Sequence, residues 1–521
     1  MSRHLSLPIL TTAADAAAWL RQHTAVLCTD SRKVQAGNGF VAWPGAAHDA
    51  RAHVLGALQQ GAAACLVEAE GIEAFDFMQS QHQALVQDRV ACVPGLRRLT
   101  GQIADLFYGE PSSQLQIVAA TGTNGKTSTS WWLAQALARV PEATAGCALV
   151  GTLGVGRFVQ NRAELHYTGM TTPDPVLLQG LLHDSVEQGV RYCAMEASSI
   201  GVAEHRLDGV RIAVALFTNF TQDHLDYHGT MEAYWQAKRA LFDWPGLRAA
   251  VINLDDAFGV TLAQELADSG LDLWTVSCED GRTARLQASD IRYADDGLVF
   301  QLHEAGAPAL ELRTALIGQY NVSNMLGVIA SMRALGISLQ AAVAACTGLL
   351  PVPGRMECLP ADGQPLAVVD YAHTPDALEK ALQALQPLAQ QRGGRLWCVF
   401  GCGGDRDPVK RPLMGRAAEA ACDQLLVTSD NPRSEDPQRI IGQVVAGLQQ
   451  PAQARVEPDR ARAIALALQQ AALQDVVLIA GKGHEDYQDI QGVKLPFKDQ
   501  EQVQMAQQQR LQAGVTEGEQ A

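Results

Sequence analysis

Between residues 117 and 133 the chain reads IVAATGTNGKTSTSWWL, and no other stretch limits its fold as tightly. A short apolar run predicts a strand, TGTNGKT a Gly-rich loop, and the residues after it a helix. That succession aims backbone N–H groups and a helix N-terminus at phosphate groups. It predicts an anion cradle of Gly122, Thr123, Asn124, Gly125, Lys126, Thr127 and Ser128. Lys126 would reach the outer phosphates of a nucleotide, and the Thr127 hydroxyl would meet a magnesium ion. The pattern G-x-x-x-x-G-K-[ST] fails at one place, because Ala120 stands where its first glycine belongs. One added methyl where the chain leaves the strand need not block the loop. The plainer alternative is a tight turn with a buried lysine.

The same alternation recurs along the chain. YCAMEAS, AVALFTNF and AAVINLDD follow in the middle, then LAVVDYAHTP, LWCVFGCGGDRD, DQLLVTSDNPR and VVLIAGKGHEDY. Apolar strands alternating with helices predict an α/β protein with mainly parallel sheets. Ligands in such sheets lie at the carboxyl ends of the strands, where these loops of Gly, Asp, His and Arg fall. The 521 residues are long enough for about three domains. We expect a smaller N-terminal α/β domain over 1–110, ending in the turn LFYGEPSSQ. A central P-loop-type ATPase domain would span 111–350 and a C-terminal Rossmann-like domain 351–521. The first region holds the short apolar runs AACLVEA and ALVQD between helix-like stretches, and the last twenty or so residues, Gln-rich and polar, read as frayed.

A net charge of −16 argues against a nucleic-acid partner, which needs a basic face. The eleven cysteines lack CxxC pairs and zinc-type spacing, which predicts reduced thiols in a cytoplasmic protein. Asp15 interrupts the N-terminal apolar run, which argues against a signal peptide, and no apolar run reaches the ~20 residues of a membrane span.

A magnesium site needs acidic partners. Glu196 ends the predicted strand YCAMEAS, and Asp223, His224, Asp226 and His228 crowd the loop TNFTQDHLDYHG, before a helix carrying Lys238. Singly, each histidine is better explained as a surface or structural residue. Beside the phosphate loop and Glu196, a divalent metal site is the better reading.

TGTNGKTS, TNFTQDHLDYHG, YWQAK, GQYNVSN, PGRME, DYAHTPDAL and DNPR, in this order over nearly the whole chain, resemble the Mur ligase family. Its members are ATP-dependent amino-acid ligases of peptidoglycan precursor synthesis, and the tripeptide synthetases resemble this chain most. The resemblance implies a reaction. ATP phosphorylates a substrate carboxylate, the amine of an amino acid attacks the acyl phosphate, and an amide, ADP and phosphate result. Lys126, Mg²⁺ and His224 would screen the meeting anions. Two Mg²⁺ are implied, held by Thr127, Glu196, His224 and Lys238. A protonated lysine does not belong beside a metal cluster. The resemblance implies that Lys238 is carbamylated, which turns it into an anion with two oxygens. The alternative is an ordinary solvated lysine.

Further roles follow from the resemblance. Asn321, Asn324, Arg355 and Asp370 would complete the ATP site, with His373 nearby, although Asp370 is equally readable as a turn or helix cap. Ser31 and His48, with Arg32 and Asp49 beside them, would bind the uridine nucleotide. Thr171, Thr172, Ser198, Glu204 and Arg206 would hold the dipeptide end of UDP-MurNAc-L-Ala-D-Glu. Many relatives read roughly SSHGLxQxR here, whereas this chain has Ile200 and Glu204. A carboxylate at 204 is a poor contact for an anionic substrate.

The motif DNPR implies meso-diaminopimelate as the added amino acid. That molecule differs from lysine by a distal carboxylate, which an arginine can grip bidentately. Arg433 is the candidate, with Arg406, Asp430, Asn431, Pro432, Gly481 and Glu485 completing the pocket and Glu485 taking the distal ammonium. Locally, DNPR is also a Pro-stiffened turn with a solvated arginine. The competing functions are a folylpolyglutamate synthetase, a lysine-adding synthetase and a non-catalytic ATP-binding regulator. A monomer is expected.

Overall fold

The computed structural model describes residues 6–45, 48–294 and 297–518. Three sheets of four, eleven and six strands follow one another along the chain, with a small hairpin near the end. The α/β expectation is met.

In the first sheet Leu27–Cys28, Gly39–Ala42, Ala64–Glu68 and Val90–Val93 run parallel. Of the two apolar runs read from the sequence, ACLVE is a strand, while ALV closes the short helix Gln83–Val86. Glu68 ends its strand and accepts the N–H groups of Gly95 (3.0 Å) and Leu96 (2.7 Å), so it caps the helix Leu96–Phe107.

In the central sheet Gln116–Thr121 lies between Val214–Phe217 and Tyr192–Glu196, parallel to both. Ala249–Asn253 and Cys147–Gly151 extend this parallel core on its two sides. Helices cover both faces, so these strands read as unbroken apolar runs. Antiparallel strands finish both edges. In the third sheet Leu366–Asp370, Val476–Ala480, Leu396–Phe400 and Gln424–Val427 are neighbours in that order, all parallel. The loops leaving these strands carry the polar motifs.

The turn LFYGEPSSQ is firmly packed. Pro111 and Ser112 are buried, and the Ser112 hydroxyl accepts the Arg211 N–H at 3.0 Å. The expected fraying is corrected as far as residue 518, with 519–521 outside the described residues. Asp499–Gly518 is a helix whose Val503 and Ala506 are buried against Ala463 and Leu468. Asp499 pairs with Arg460 at 2.7 Å, with both side chains wholly buried. Two apolar residues spaced i, i+3 anchor the helix, a stripe too narrow to show in a Gln-rich run.

Candidate active site

The phosphate loop leaves its strand at Gly122. A Cβ there would lie 1.9 Å from the Thr218 hydroxyl, and one at Gly125 would lie 2.5 Å from Asn324 Oδ1. Both glycines also have positive φ, so no other residue fits without strain. Ala120 needs no such freedom. It still lies in the strand, paired with Glu196, and its carbonyl accepts the Ala197 N–H at 2.9 Å. Asn219 fixes the loop, its carbonyl accepting Thr123 N at 2.8 Å and its side chain Asn124 N at 2.9 Å. The helix Lys126–Leu137 then starts with its first N–H groups facing the loop's hollow.

Two lysines meet at this loop. Lys126 Nζ donates to the carbonyls of Gly122 (2.8 Å) and Thr123 (2.9 Å). Lys238 Nζ, from the helix Met231–Arg239, donates to the same Gly122 carbonyl at 2.6 Å. Lys238 is 1% exposed and its Nζ lies 4.3 Å from the centre of the Tyr234 ring. Burial pushes its ammonium well below an ordinary lysine, and the charge of Lys126 adds to the effect. Lys238 is therefore a buried amine, and the solvated reading is excluded.

Glu196 is buried at the end of its strand. It accepts the Thr127 hydroxyl (3.0 Å), the Thr152 N–H (2.7 Å) and the Thr152 hydroxyl (3.1 Å). His224 starts the short helix Leu225–His228 with φ 52° and lies edge-on to Tyr234, ring centres 6.0 Å apart. Burial draws its imidazole below the usual value while Asp223 opposes the shift. Among the described residues no three His, Cys, Asp or Glu side chains gather as a metal cluster. A cation here would rest on the Thr127 hydroxyl and the Glu196 carboxylate, with phosphate and water oxygens completing the shell. That hard-oxygen set fits Mg²⁺, and a carbamate on Lys238 would add oxygens of the same kind.

The far wall comes from the third sheet. Arg355 Nη2 reaches Thr127 Oγ1 at 3.5 Å, and its guanidinium stacks 4.3 Å from the Tyr371 ring centre. Its Nε is buried without a partner, an open donor at the cavity. Asp370 accepts Met356 N (2.7 Å) and Ala372 N (2.8 Å), so the turn reading of this residue is realised. Burial raises its carboxyl above the ordinary range against the pull of Arg355. Asn324 donates to Asn321 Oδ1 at 3.1 Å, and Asn124 donates to Asp376 at 3.2 Å across the two sheets. Together these groups line a cavity of about 420 Å³, which includes every nucleotide-site candidate except Gly122.

A second cavity of about 910 Å³ adjoins it. Thr152, Thr171, Asp223, His224, Tyr371 and His373 line both. Arg406, Asp430, Asn431, Arg433, Gly481 and Glu485 line the second, and Pro432 is buried behind them. Arg433 has φ 49°, a strained conformation for a side-chain-bearing residue. It is held there by its N–H to the Asp489 carbonyl (2.9 Å) and by the Gln491 N–H to its own carbonyl (2.7 Å). Its Nη1 donates to the Gly404 carbonyl at 2.7 Å, which leaves Nε and Nη2 for a ligand. Asn431 donates to Glu485 Oε2 at 2.7 Å.

The remaining candidates lie elsewhere. Ser31, half-buried, and His48, exposed, belong to the first sheet's loops and line neither cavity. Arg32 is held by Asp30 through both carboxylate oxygens. Ser198 lines the first cavity and shares a hydrogen bond with Thr172 at 3.0 Å, and Arg206 donates to the Thr172 carbonyl at 2.9 Å. Glu204 pairs with Arg97 of the first module and accepts the Tyr227 hydroxyl at 2.5 Å. Its carboxylate thus has a structural partner in Arg97. Sequence reasoning passed over Thr152, Tyr371, Lys410 and Lys482. Tyr371, inside DYAHTPDAL, and Lys482, inside GKGHE, lay within quoted motifs without being singled out.

The Mur ligase middle domain matches residues 120–332, and the Mur ligase glutamate ligase domain matches 354–483. The UDP-N-acetylmuramoyl-L-alanyl-D-glutamate–2,6-diaminopimelate ligase of Acidovorax sp. (strain JS42) is 59% identical over 95% of this chain and 97% of that protein. The protein of the same name from Janthinobacterium sp. (strain Marseille) is 48% identical over 98% of this chain and 100% of its own length. A solved structure of a ligase with that name is 36% identical, with a TM-score of 0.63, and covers 93% of this chain and 94% of its own. The chain belongs to the Mur ligase family.

Proposed function

We propose that this chain is an ATP-dependent ligase that adds meso-2,6-diaminopimelate to UDP-N-acetylmuramoyl-L-alanyl-D-glutamate, in the cytoplasm and as a monomer. The observation that carries the reading is the contact of two cavities along one wall. One is ringed by the glycine loop, Lys126 and Arg355, and the other carries the guanidinium groups of Arg406 and Arg433 beside the carboxylates of Asp430 and Glu485. ATP is the nucleotide that fits the first. Residues 1–110 would hold the uridine nucleotide, 111–350 ATP, and 351–521 the amino acid.

The loop N–H groups, Lys126 and Arg355 hold the triphosphate and draw charge toward its terminal group. Thr127, Glu196, His224 and a carbamate on Lys238 would hold magnesium, which would supply further positive charge there. Thr171, Thr172, Ser198 and Arg206 position the glutamyl carboxylate at the shared wall, where it takes the phosphoryl group and becomes an electrophile. Asp430, Asn431, Gly481 and Glu485 orient the incoming amino acid, and Arg406 and Arg433 take its carboxylates. The amine displaces phosphate from the acyl phosphate, and a closed site keeps water from competing.

The test is an assay of phosphate release and product mass with the dipeptide nucleotide, ATP, Mg²⁺ and either diaminopimelate or L-lysine. Product with diaminopimelate alone supports the reading. Product with lysine keeps the reaction and overturns the amino acid assignment, and none with either overturns both.

A further inference from the structure

Lys482 is a buried cation that the reaction just described does not use. Its side chain is 0% exposed, a costly place for an ammonium unless it is paired. It follows the strand Val476–Ala480, and its partners Asn431 and Glu485 line the second cavity. Its Nζ donates to Glu485 Oε2 and to Asn431 Oδ1, both at 3.0 Å. Asp489 N also donates to Asn431 Oδ1, at 2.9 Å. With its oxygen held by two donors, the Asn431 amide must turn its NH₂ to Glu485 Oε2, which it reaches at 2.7 Å. Glu485 Oε2 therefore accepts two hydrogen bonds, while Oε1 takes none from any described residue and is the oxygen left to a ligand.

This arrangement changes the electrostatics of the pocket. A lone carboxylate would attract any primary ammonium. The Glu485–Lys482 pair has no net charge, so it offers hydrogen-bond geometry with little long-range pull. An amino acid whose far end is only an ammonium gains little against its loss of water. One whose far end is a zwitterion gains the Arg433 contact as well. We propose that Lys482 is a specificity-determining positioning residue, which holds Asn431 and Glu485 in place and neutralises Glu485 so that a cationic side chain without a carboxylate is rejected. The inference rests on the amino-acid assignment proposed above.

The experiment compares kcat/KM for meso-diaminopimelate and for L-lysine in the wild-type chain and in Lys482→Met, Glu485→Gln and the double variant. Lys482→Met should lower the diaminopimelate-to-lysine ratio by about tenfold or more, since a close unit charge is removed from a partly screened site. KM for ATP should not move. Glu485→Gln leaves the buried ammonium uncompensated and should raise KM for diaminopimelate. Adding Lys482→Met to it should recover part of that loss. If Lys482→Met does not fold, this recovery carries the test, because swapping out both members of a buried pair is commonly tolerated. Equal losses for both amino acids in Lys482→Met, or a double variant worse than Glu485→Gln, overturn the proposal. A wild-type chain that ligates neither amino acid overturns the functional reading instead.

Discussion

The ammonium groups of Lys126 and Lys238 converge on a single atom, the carbonyl oxygen of Gly122, at 2.8 and 2.6 Å. Two full positive charges in so dry a place repel strongly, and the cost is relieved if one amine is neutral. Burial and the charge of Lys126 both lower the Lys238 ammonium, which favours its neutral form, and a neutral amine is the form that adds to CO₂, its Nζ bonding the carbon as a proton leaves. Depleting CO₂ and bicarbonate should slow ligation reversibly, and Lys238→Ala should be inactive. Unchanged rates in both cases would sink the carbamate. Lys126→Ala should abolish ligation outright, because it removes the ammonium proposed to hold the outer phosphates.

Arg433→Ala should raise KM for diaminopimelate about tenfold to a hundredfold, the range for a lost charge-assisted hydrogen bond, with kcat nearly kept. Steady-state kinetics with diaminopimelate varied at saturating ATP reads this directly. A loss confined to ATP turnover would show that the guanidinium serves the other cavity.

Asp499→Ala leaves the Arg460 guanidinium buried without its partner. The expected cost is about 3–5 kcal/mol, read by denaturant unfolding, because a stranded charge costs more than the pair contributes. A change below ~1 kcal/mol would mean that water reaches Arg460 when the helix loosens.

His484 gives a pH signature. Burial, with Arg355 and Lys482 adding repulsion, lowers its folded pKa to about 3 from the ordinary 6.5. Between those values the unfolded chain binds the extra proton, so stability falls as pH drops through that window. The slope from this group is at most ~1.4 kcal/mol per pH unit. His484→Asn should flatten the lower limb of the stability–pH curve. An identical curve would mean that the imidazole titrates normally.

The parallel sheets were legible because strands buried on both faces read as apolar runs, and the phosphate loop because its glycines have no substitutes. Ala120 looked like a defect only because the motif was counted in residues, whereas the strand continues one residue past the expected turn. Thr152 was illegible. It reaches Glu196 from another strand's end, and no local pattern marks a contact 44 residues away. The same holds for Glu204, whose carboxylate is paired by Arg97, far back in the chain. The last helix was missed because its buried apolar residues, Val503 and Ala506, are too few to leave a periodic signal in a Gln-rich run.

The wall shared by the two cavities takes Thr152, Thr171, Asp223 and His224 from the central sheet, and Tyr371 and His373 from the third. A compound that filled both hollows at once would therefore act as a staple between two separately built bodies. Its residence time would measure how hard those bodies are to pull apart, and its grip would weaken with any change that loosens the Asn124–Asp376 bridge, even one far from its own atoms.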